Sequence, residues 1–268
     1  MPAATHRRQS ITLAALIALT PAAVLAQAFD AVRLYGAAPG QDGGLVGVAF
    51  IATKAYQGSA KDRNLIVPLL DYQWRNGWFA GVSNGIGYNF SGNHDQQYGL
   101  RLTADLGRSS NRSVALRGLP DIDAKAEVGG FYNLHLSHQM FLTSSLRYGA
   151  GVDSKGAVLD LGAGYTTDLM PHWRLGLGVA TSVVNAAYAQ SYFGITSGQA
   201  ASSGYPVYSA GAGLRDVRAN VALTYHLAPR ASITGVLSAN SLLGDAKDSP
   251  LTRKATTVNG VVAVSYAF

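Results

Sequence analysis

From about Gly44 onward the chain repeats one hydropathy pattern: segments of roughly ten residues in which apolar and polar positions alternate, each ended by turn residues. Between Tyr98 and Leu106 the apolar set is Tyr98, Leu100, Leu102, Ala104 and Leu106, and Arg101, Thr103 and Asp105 take the positions between. From Ala124 to Leu136, Ala124, Ala126, Val128, Tyr132, Leu134 and Leu136 share one face, opposite Lys125, Glu127, Asn133 and His135. Val217 to Leu227 repeats it, with Val217, Ala219, Val221, Leu223, Tyr225 and Leu227 opposite Arg218, Asn220, Thr224 and His226. Successive side chains of a strand point to opposite faces, so each segment predicts a β-strand with one apolar face.

Eleven such strands are read from Gly44 onward, the stretch after Gly77 counting as one of them. Bacterial membrane barrels carry even strand numbers, so Phe29 to Ala37 is read as the twelfth. Ten strands is the alternative if an early segment does not span. Tight connections fall at Arg75-Asn76-Gly77, Ser137-His138, Met170-Pro171-His172 and Ala228-Pro229, and long ones around Arg108–Asp121, Asn185–Pro206 and Leu242–Thr256. Counting back from a periplasmic C-terminus puts 228–229, 170–172 and 137–138 in the periplasm and the long connections outside. The same parity makes Arg75-Asn76-Gly77 an extracellular hairpin.

A soluble sandwich also alternates. Its solvated face would be rich in Lys and Glu, whereas here the polar face is mostly Gly, Ser, Thr and Asn with isolated charges of both signs. That composition suits the lumen of an antiparallel up-and-down transmembrane β-barrel. The alternation assigns Arg101, Asp105, Lys125, Glu127, Arg147, Asp160, Arg174 and Arg218 to the interior, where they are expected to form a mixed-sign network. At the end of the chain Val258, Val262, Val264, Tyr266 and Phe268 share one phase. Val264, Tyr266 and the terminal Phe268 resemble the insertion signal of outer-membrane barrels, which implies the barrel assembly machinery and outer-membrane lipid as partners.

The N-terminus sets the compartment. His6, Arg7 and Arg8 precede an apolar run from Ile11 to Leu19, then Pro21 and the small residues Ala22 to Ala28. This order predicts a secretory signal peptide over residues 1–26, cleaved after Val24-Leu25-Ala26, with Ala26-Gln27-Ala28 the second context. The apolar run is too short to cross a bilayer as a helix, which needs about 20 residues. Residues 27–268 are then one domain, destined for the Gram-negative outer membrane.

Composition agrees. Only 13% of residues are charged, 48% are hydrophobic and 31 are Gly, a poor mixture for helices because each Gly costs about 1 kcal/mol relative to Ala. The 268 residues contain no Cys, so disulfides and thiolate metal sites are excluded. Of 21 basic residues Arg7 and Arg8 belong to the leader, leaving 19 against 15 acidic ones with no clustered run. A nucleic-acid partner needs such a footprint.

Little catalytic chemistry is legible. His135 and His138 are three apart, on opposite strand faces, without a third metal ligand. Gly85-Ile86-Gly87 and Gly176-Leu177-Gly178 do not open a helix after a strand and so read as close approaches in the wall, not phosphate loops. His135-Leu136-Ser137 is the one pattern with the residue types of a lipid acyl hydrolase. His135 has the lumen phase and Ser137 begins a turn, so a polar strand end is the simpler reading. Asp121, Asp123, Asp216, Asp245 and Asp248 lie near strand ends, where carboxylates either cap turns or take a hard cation.

Four blocks, in order from about Leu65 to Phe268, resemble the MipA/OmpV family. They are Pro68-Leu69-Leu70-Asp71-Tyr72-Gln73-Trp74 with Gly77-Trp78-Phe79; Arg117-Gly118-Leu119-Pro120-Asp121-Ile122-Asp123 leading into Ala126-Glu127; Tyr192-Phe193-Gly194-Ile195-Thr196 through Ser203-Gly204-Tyr205-Pro206-Val207-Tyr208 to Gly211-Ala212-Gly213-Leu214-Arg215-Asp216-Val217; and Leu242-Leu243-Gly244-Asp245-Ala246-Lys247-Asp248-Ser249-Pro250. The chain departs from the family at Lys54-Ala55-Tyr56-Gln57-Gly58-Ser59, where members carry an acidic stretch. The resemblance implies a non-enzymatic scaffold binding a murein lytic transglycosylase and a penicillin-binding protein. It implies neither cofactor nor catalytic residue. A narrow channel for small solutes or ions is the alternative, since a barrel of this size lies between filled 8-strand and open 16-strand barrels.

Overall fold

The computed structural model of the protein describes residues 40–93 and 95–268; the leader over 1–26 and the strand expected over Phe29 to Ala37 lie outside them. Twelve antiparallel strands form one closed barrel in which each pairs with its sequence neighbours and β1 closes on β12. Half the wall is β1 (Gly43–Lys54), β2 (Asp62–Gln73), β3 (Trp78–Gly81), β4 (Gly85–Asn89), β5 (Gln96–Asp105) and β6 (Lys125–His135). The rest is β7 (Met140–Ala150), β8 (Gly156–Met170), β9 (Trp173–Val184), β10 (Gly213–Ala228), β11 (Ala231–Leu242) and β12 (Thr256–Ala267). Closure leaves neither terminal strand with an unpaired edge, which is what permits strands to cross a bilayer.

The twelve are reached without Phe29 to Ala37, because the stretch after Gly77 is two short strands. The chain reverses at Val82-Ser83-Asn84, where buried Asp71 of β2 accepts from Ser83 Oγ at 2.9 Å and Asn84 Nδ2 at 3.3 Å. Gly81 permits this approach, since a Cβ there would overlap the Asp71 carboxylate. The extra reversal corrects the expected parity: Arg75-Asn76-Gly77 lies on the rim that holds Phe268, with Arg75 N donating to Asp42 Oδ1 at 2.9 Å. The turns at 137–138, 170–172 and 228–229 lie on this C-terminal rim too, and the long connections lie on the other.

The short hairpin also notches the wall. β2 pairs with β3 only over Asp71, Tyr72 and Gln73, and β5 pairs with β4 only from Gly99 to Leu102. Asp62 to Leu69 therefore has no strand partner on its β3 side. Pro68, which lacks an N–H, falls in this stretch, where its missing donor costs no ladder bond.

Outward positions are apolar around the circumference: Val48 and Phe50 on β1, Ile66 on β2, Leu100 on β5, Val128 on β6, Val221 on β10, Leu237 on β11, Val262 and Val264 on β12. Near the C-terminal rim the outward rings touch in series: Trp78 with Tyr88, Tyr88 with Phe90, Phe90 with Tyr98 and Tyr98 with Tyr132, at centroid separations of 5.4, 5.3, 6.2 and 6.4 Å. Trp173 meets Tyr225 at 4.8 Å, and Phe268 stacks on Tyr72 at 6.0 Å. An apolar belt edged by aromatic rings is the surface a barrel presents to lipid and its headgroup boundary.

Inside, the lumen has two unlike sides. Leu45, Ala49 and Ile51 of β1, Val67 and Leu69 of β2, and Val236, Val261 and Ala263 pack into an apolar cluster. The inward residues of β5 to β10 include most of the buried polar and charged ones, among them Glu127, Asn133, Ser145, Ser182, Arg218 and Asn220. The long connections fold over the rim opposite Phe268, carrying α1 (Ala186–Phe193), α2 (Ser197–Ser203) and α3 (Gly244–Asp248). Asn185 caps α1 by accepting from Tyr188 N at 3.0 Å, and Thr196 with Gln199 forms a capping box on α2. Tyr188, Tyr192, Phe193 and Leu242 pack in one cluster of this cap, and Tyr56, Leu116, Leu119, Ile195 and Leu251 in another.

Candidate functional site in the barrel lumen

Beneath the cap a chain of ion pairs crosses five strands. Glu127 of β6 accepts from Arg147 Nη1 at 3.0 Å, and the other arm of Arg147, Nη2, reaches Asp160 of β8 at 2.7 Å. Asp160 also meets Arg218 Nη2 of β10 at 3.3 Å, and Arg218 Nη1 reaches Asp216 at 3.1 Å. Asp216 takes a last bond from Arg215 Nε at 2.5 Å. Ser182 of β9 is the hub, donating to Asp160 Oδ1 at 2.5 Å and accepting from Arg215 Nη2 and Arg218 Nη1, each at 2.9 Å. Three guanidinium groups thus meet three carboxylates. Such balance matters here because an unpaired charge away from water is costly.

Of the residues assigned to the interior by alternation, Glu127, Arg147, Asp160 and Arg218 lie in this chain. Arg101 lies further along the lumen, donating to Ser145 Oγ at 2.6 Å. Asp105 is a separate anchor, and Lys125 is its register partner across β5 and β6. Arg174 is the correction: it has the inward phase but lies at the C-terminal rim, where it pairs with Asp168 at 2.8 Å and both side chains are exposed.

Arg215 escaped the alternation for a geometric reason, whereas Asp216 shares the inward phase of Arg218 and reads in the sequence only as a strand-end carboxylate. Regular period-2 phasing allows only one of two adjacent residues to face inward. The β10–β9 register shifts between Leu214 and Asp216, and this bulge buries both Arg215 and Asp216 in the lumen. The other sequence candidates remain local. Ser137 Oγ accepts from Gln139 N and Met140 N within its turn, and the His135 ring lies against Phe141. Asp121 accepts from Ser110 N and Oγ, both at 2.6 Å, and Asp245 accepts from Gly211 N at 2.6 Å.

The cap is tied to the wall by side chains of α1. Tyr188 stacks on Tyr192 with centroids 4.6 Å apart, and its hydroxyl accepts from Arg215 Nη1 at 2.9 Å. The Tyr192 hydroxyl donates to Asp105 Oδ2 at 2.5 Å, and its carbonyl accepts from Arg108 Nη1 at 2.7 Å. Burial first, then Tyr188 and Asp105 beside it, holds the Tyr192 phenol well above the usual tyrosine range, so it remains a donor. Tyr192→Phe deletes a bond to a charged acceptor worth about 1.5–3 kcal/mol. Hydrogen exchange over residues 186–204 is expected to quicken roughly tenfold or more; unchanged exchange would show that the cap is held elsewhere.

Between cap and network lies a cavity of roughly 210 Å³. Its lining includes Lys54, Arg63, Arg108, Arg112, Arg147, Arg215 and Arg218 but only Asp105 and Glu127 as anions. Among the described residues no group of three His, Cys, Asp or Glu side chains converges to hold a metal ion.

A family model described as "MltA-interacting protein MipA" matches residues 46–268. No curated protein matches the chain. Among solved structures, the KdgM porin aligns with 10% identity and a TM-score of 0.43 over 84% of this chain and 99% of its own. The COG4313 outer membrane channel from Pseudomonas putida F1 aligns with 11% identity and a TM-score of 0.44 over 88% of this chain and 98% of its own.

Proposed function

We propose, from the premise that the chain belongs to the MltA-interacting protein (MipA) family, that this outer-membrane β-barrel is a non-enzymatic docking protein for a periplasmic murein lytic transglycosylase and, beside it, a penicillin-binding synthase. The observation carrying this reading is the family match, which runs from β1 to Phe268 and so takes in the whole barrel and its cap. The packed cap supports it, because α1 and the 106–124 and 243–255 connections fill the outer mouth with buried side chains. Residues 1–26 act as the export leader in this reading, and the C-terminal rim faces the periplasm. Its turns are short, and a recess on it lies among Asp168, Met170, His172, Trp173, Arg174 and His226. That recess is where a periplasmic partner would seat.

Reversible cross-linking in intact cells, with a photoactivatable residue at His172, tests the proposal. Enrichment of a lytic transglycosylase or a penicillin-binding synthase, lost when His172 is left unmodified, is the expected result. Recovery of abundant outer-membrane neighbours alone would overturn it. The cationic lining of the cavity favours a second reading, a narrow anion-passing channel. Discrete conductance steps in planar bilayers would select that reading, and a silent bilayer would remove it.

A further inference from the structure

We propose that Arg63, Arg108 and Arg112 form a binding site for an oxyanion, a phosphate or carboxylate group, at the notch between β2 and β5. Arg108 carries the argument. It is 5% exposed, its Nη1 donates to the Tyr192 carbonyl, and its Nε has no partner among the described residues. The other buried arginines of this cavity, Arg147, Arg215 and Arg218, are each within ion-pair distance of a carboxylate. Among the described residues Arg108 is not, and neither are the half-buried Arg63 and Arg112 beside it. Asp121, whose charge acts on Arg108 and Arg112, accepts from Ser110 instead of pairing with either.

Three guanidinium groups thus gather with no carboxylate among the described residues at ion-pair distance, where one of them is almost wholly dehydrated. Burial pulls the Arg108 pKa below the ordinary guanidinium value, and Arg112 pushes in the same direction. Arg112 is itself lowered by burial and then by Arg63. One bound anion would relieve all of these penalties, and guanidinium forks match the planar oxygens of carboxylate and phosphate.

The space is adequate. A cavity of about 150 Å³ accommodates benzene, and this one is roughly 210 Å³. Its position also suggests how a ligand arrives. Arg63 and Leu65 line it from the stretch of β2 that has no β3 partner, and Leu106 and Gly107 line it from the chain leaving β5. A phosphorylated lipid headgroup in the surrounding leaflet and a free soluble anion therefore offer the same chemistry to the same three side chains.

The full-length protein in nonionic detergent would be titrated calorimetrically with inorganic phosphate and with succinate, using succinamide as the neutral control. Saturable one-to-one binding of the anions alone is expected, weakened at least tenfold in Arg112→Gln and in Arg63→Gln. Arg75→Gln, on the opposite rim, should bind as the wild type does. Arg108→Gln should abolish binding; because Arg108 also holds the Tyr192 carbonyl, the Arg112 and Arg63 variants decide the matter if that variant fails to fold. Repeating the titration in phosphatidylcholine vesicles with and without phosphatidic acid separates the sources. Loss of phosphate binding only when phosphatidic acid is present identifies a lipid headgroup, and equal binding in both identifies a soluble anion. No saturable binding, or equal binding by Arg112→Gln and the wild type, would overturn the proposal.

Discussion

Asp216→Ala is expected to destabilise the folded barrel by about 3–5 kcal/mol, the range for removing one partner of a buried ion pair. Asp216 is 1% exposed and is the carboxylate shared by Arg215 and Arg218. Without it, three guanidinium groups are left with Glu127 and Asp160, and Arg215 keeps no carboxylate within ion-pair distance among the described residues. Hydration cannot make up the difference, because Arg215 and Arg218 are each 1% exposed. Urea unfolding in detergent micelles, followed by the shift between compact and unfolded bands on unheated gels, measures the loss. Asp168→Ala deletes one half of an exposed pair with Arg174 and should leave the midpoint where it was. Equal midpoints for the two variants would mean that the buried chain of charges contributes nothing to stability.

The second large effect concerns the outer surface. Leu237→Arg should lower stability in a bilayer by about 2–4 kcal/mol, as Arg does on the lipid face of a barrel near its midplane. Leu237 is 64% exposed and lies midway along β11, opposite Val221 of β10 and Gly260 of β12. On a water-soluble protein the same substitution would fall within about ±0.5 kcal/mol, since an exposed charge is well solvated. Folding yield into phosphatidylcholine vesicles, with Leu237→Val as the size control, distinguishes the two. A Leu237→Arg yield equal to that of Leu237→Val would deny that this face meets lipid.

Alternation alone revealed most of the wall, because a lipid-facing strand must be apolar at every second residue. Tyr98 to Leu106 and Ala124 to Leu136 became β5 and β6 within a residue or two at each end, and Val217 to Leu227 became β10, which starts four residues earlier at Gly213. What it missed were breaks in the period. The reversal at Val82-Ser83-Asn84 is set by a carboxylate more than ten residues away, Asp71, which no local pattern reveals. The bulge that buries Arg215 beside Asp216 likewise arises from pairing with β9 and has no signature within Arg215-Asp216-Val217. Asp71 and the bulge residues Arg215 and Asp216 lie in blocks that carried the family resemblance, so these residues were prominent before their roles were. Arg174 shows the converse limit: phase predicts which way a side chain points but not how far along the axis it lies. The cavity arginines were illegible for a third reason. Arg63 begins a strand while Arg108 and Arg112 belong to a long connection, and only the way that connection folds over the notch brings them together.

The seam between β1 and β12 also shapes how this barrel must form. Val46 faces Tyr266 and Phe50 faces Val262, pairs separated by more than two hundred positions along the chain. At Gly47 the strands approach so closely that a Cβ would come within 2.2 Å of the Val264 carbonyl oxygen. Every other ladder in the wall joins sequence neighbours and can form progressively, hairpin by hairpin. This one cannot form until β12 has been delivered, and until then two rows of backbone donors and acceptors would face hydrocarbon with nothing to bind. Closure is therefore an all-or-none final event, and the incomplete sheet needs shelter from the bilayer until it occurs.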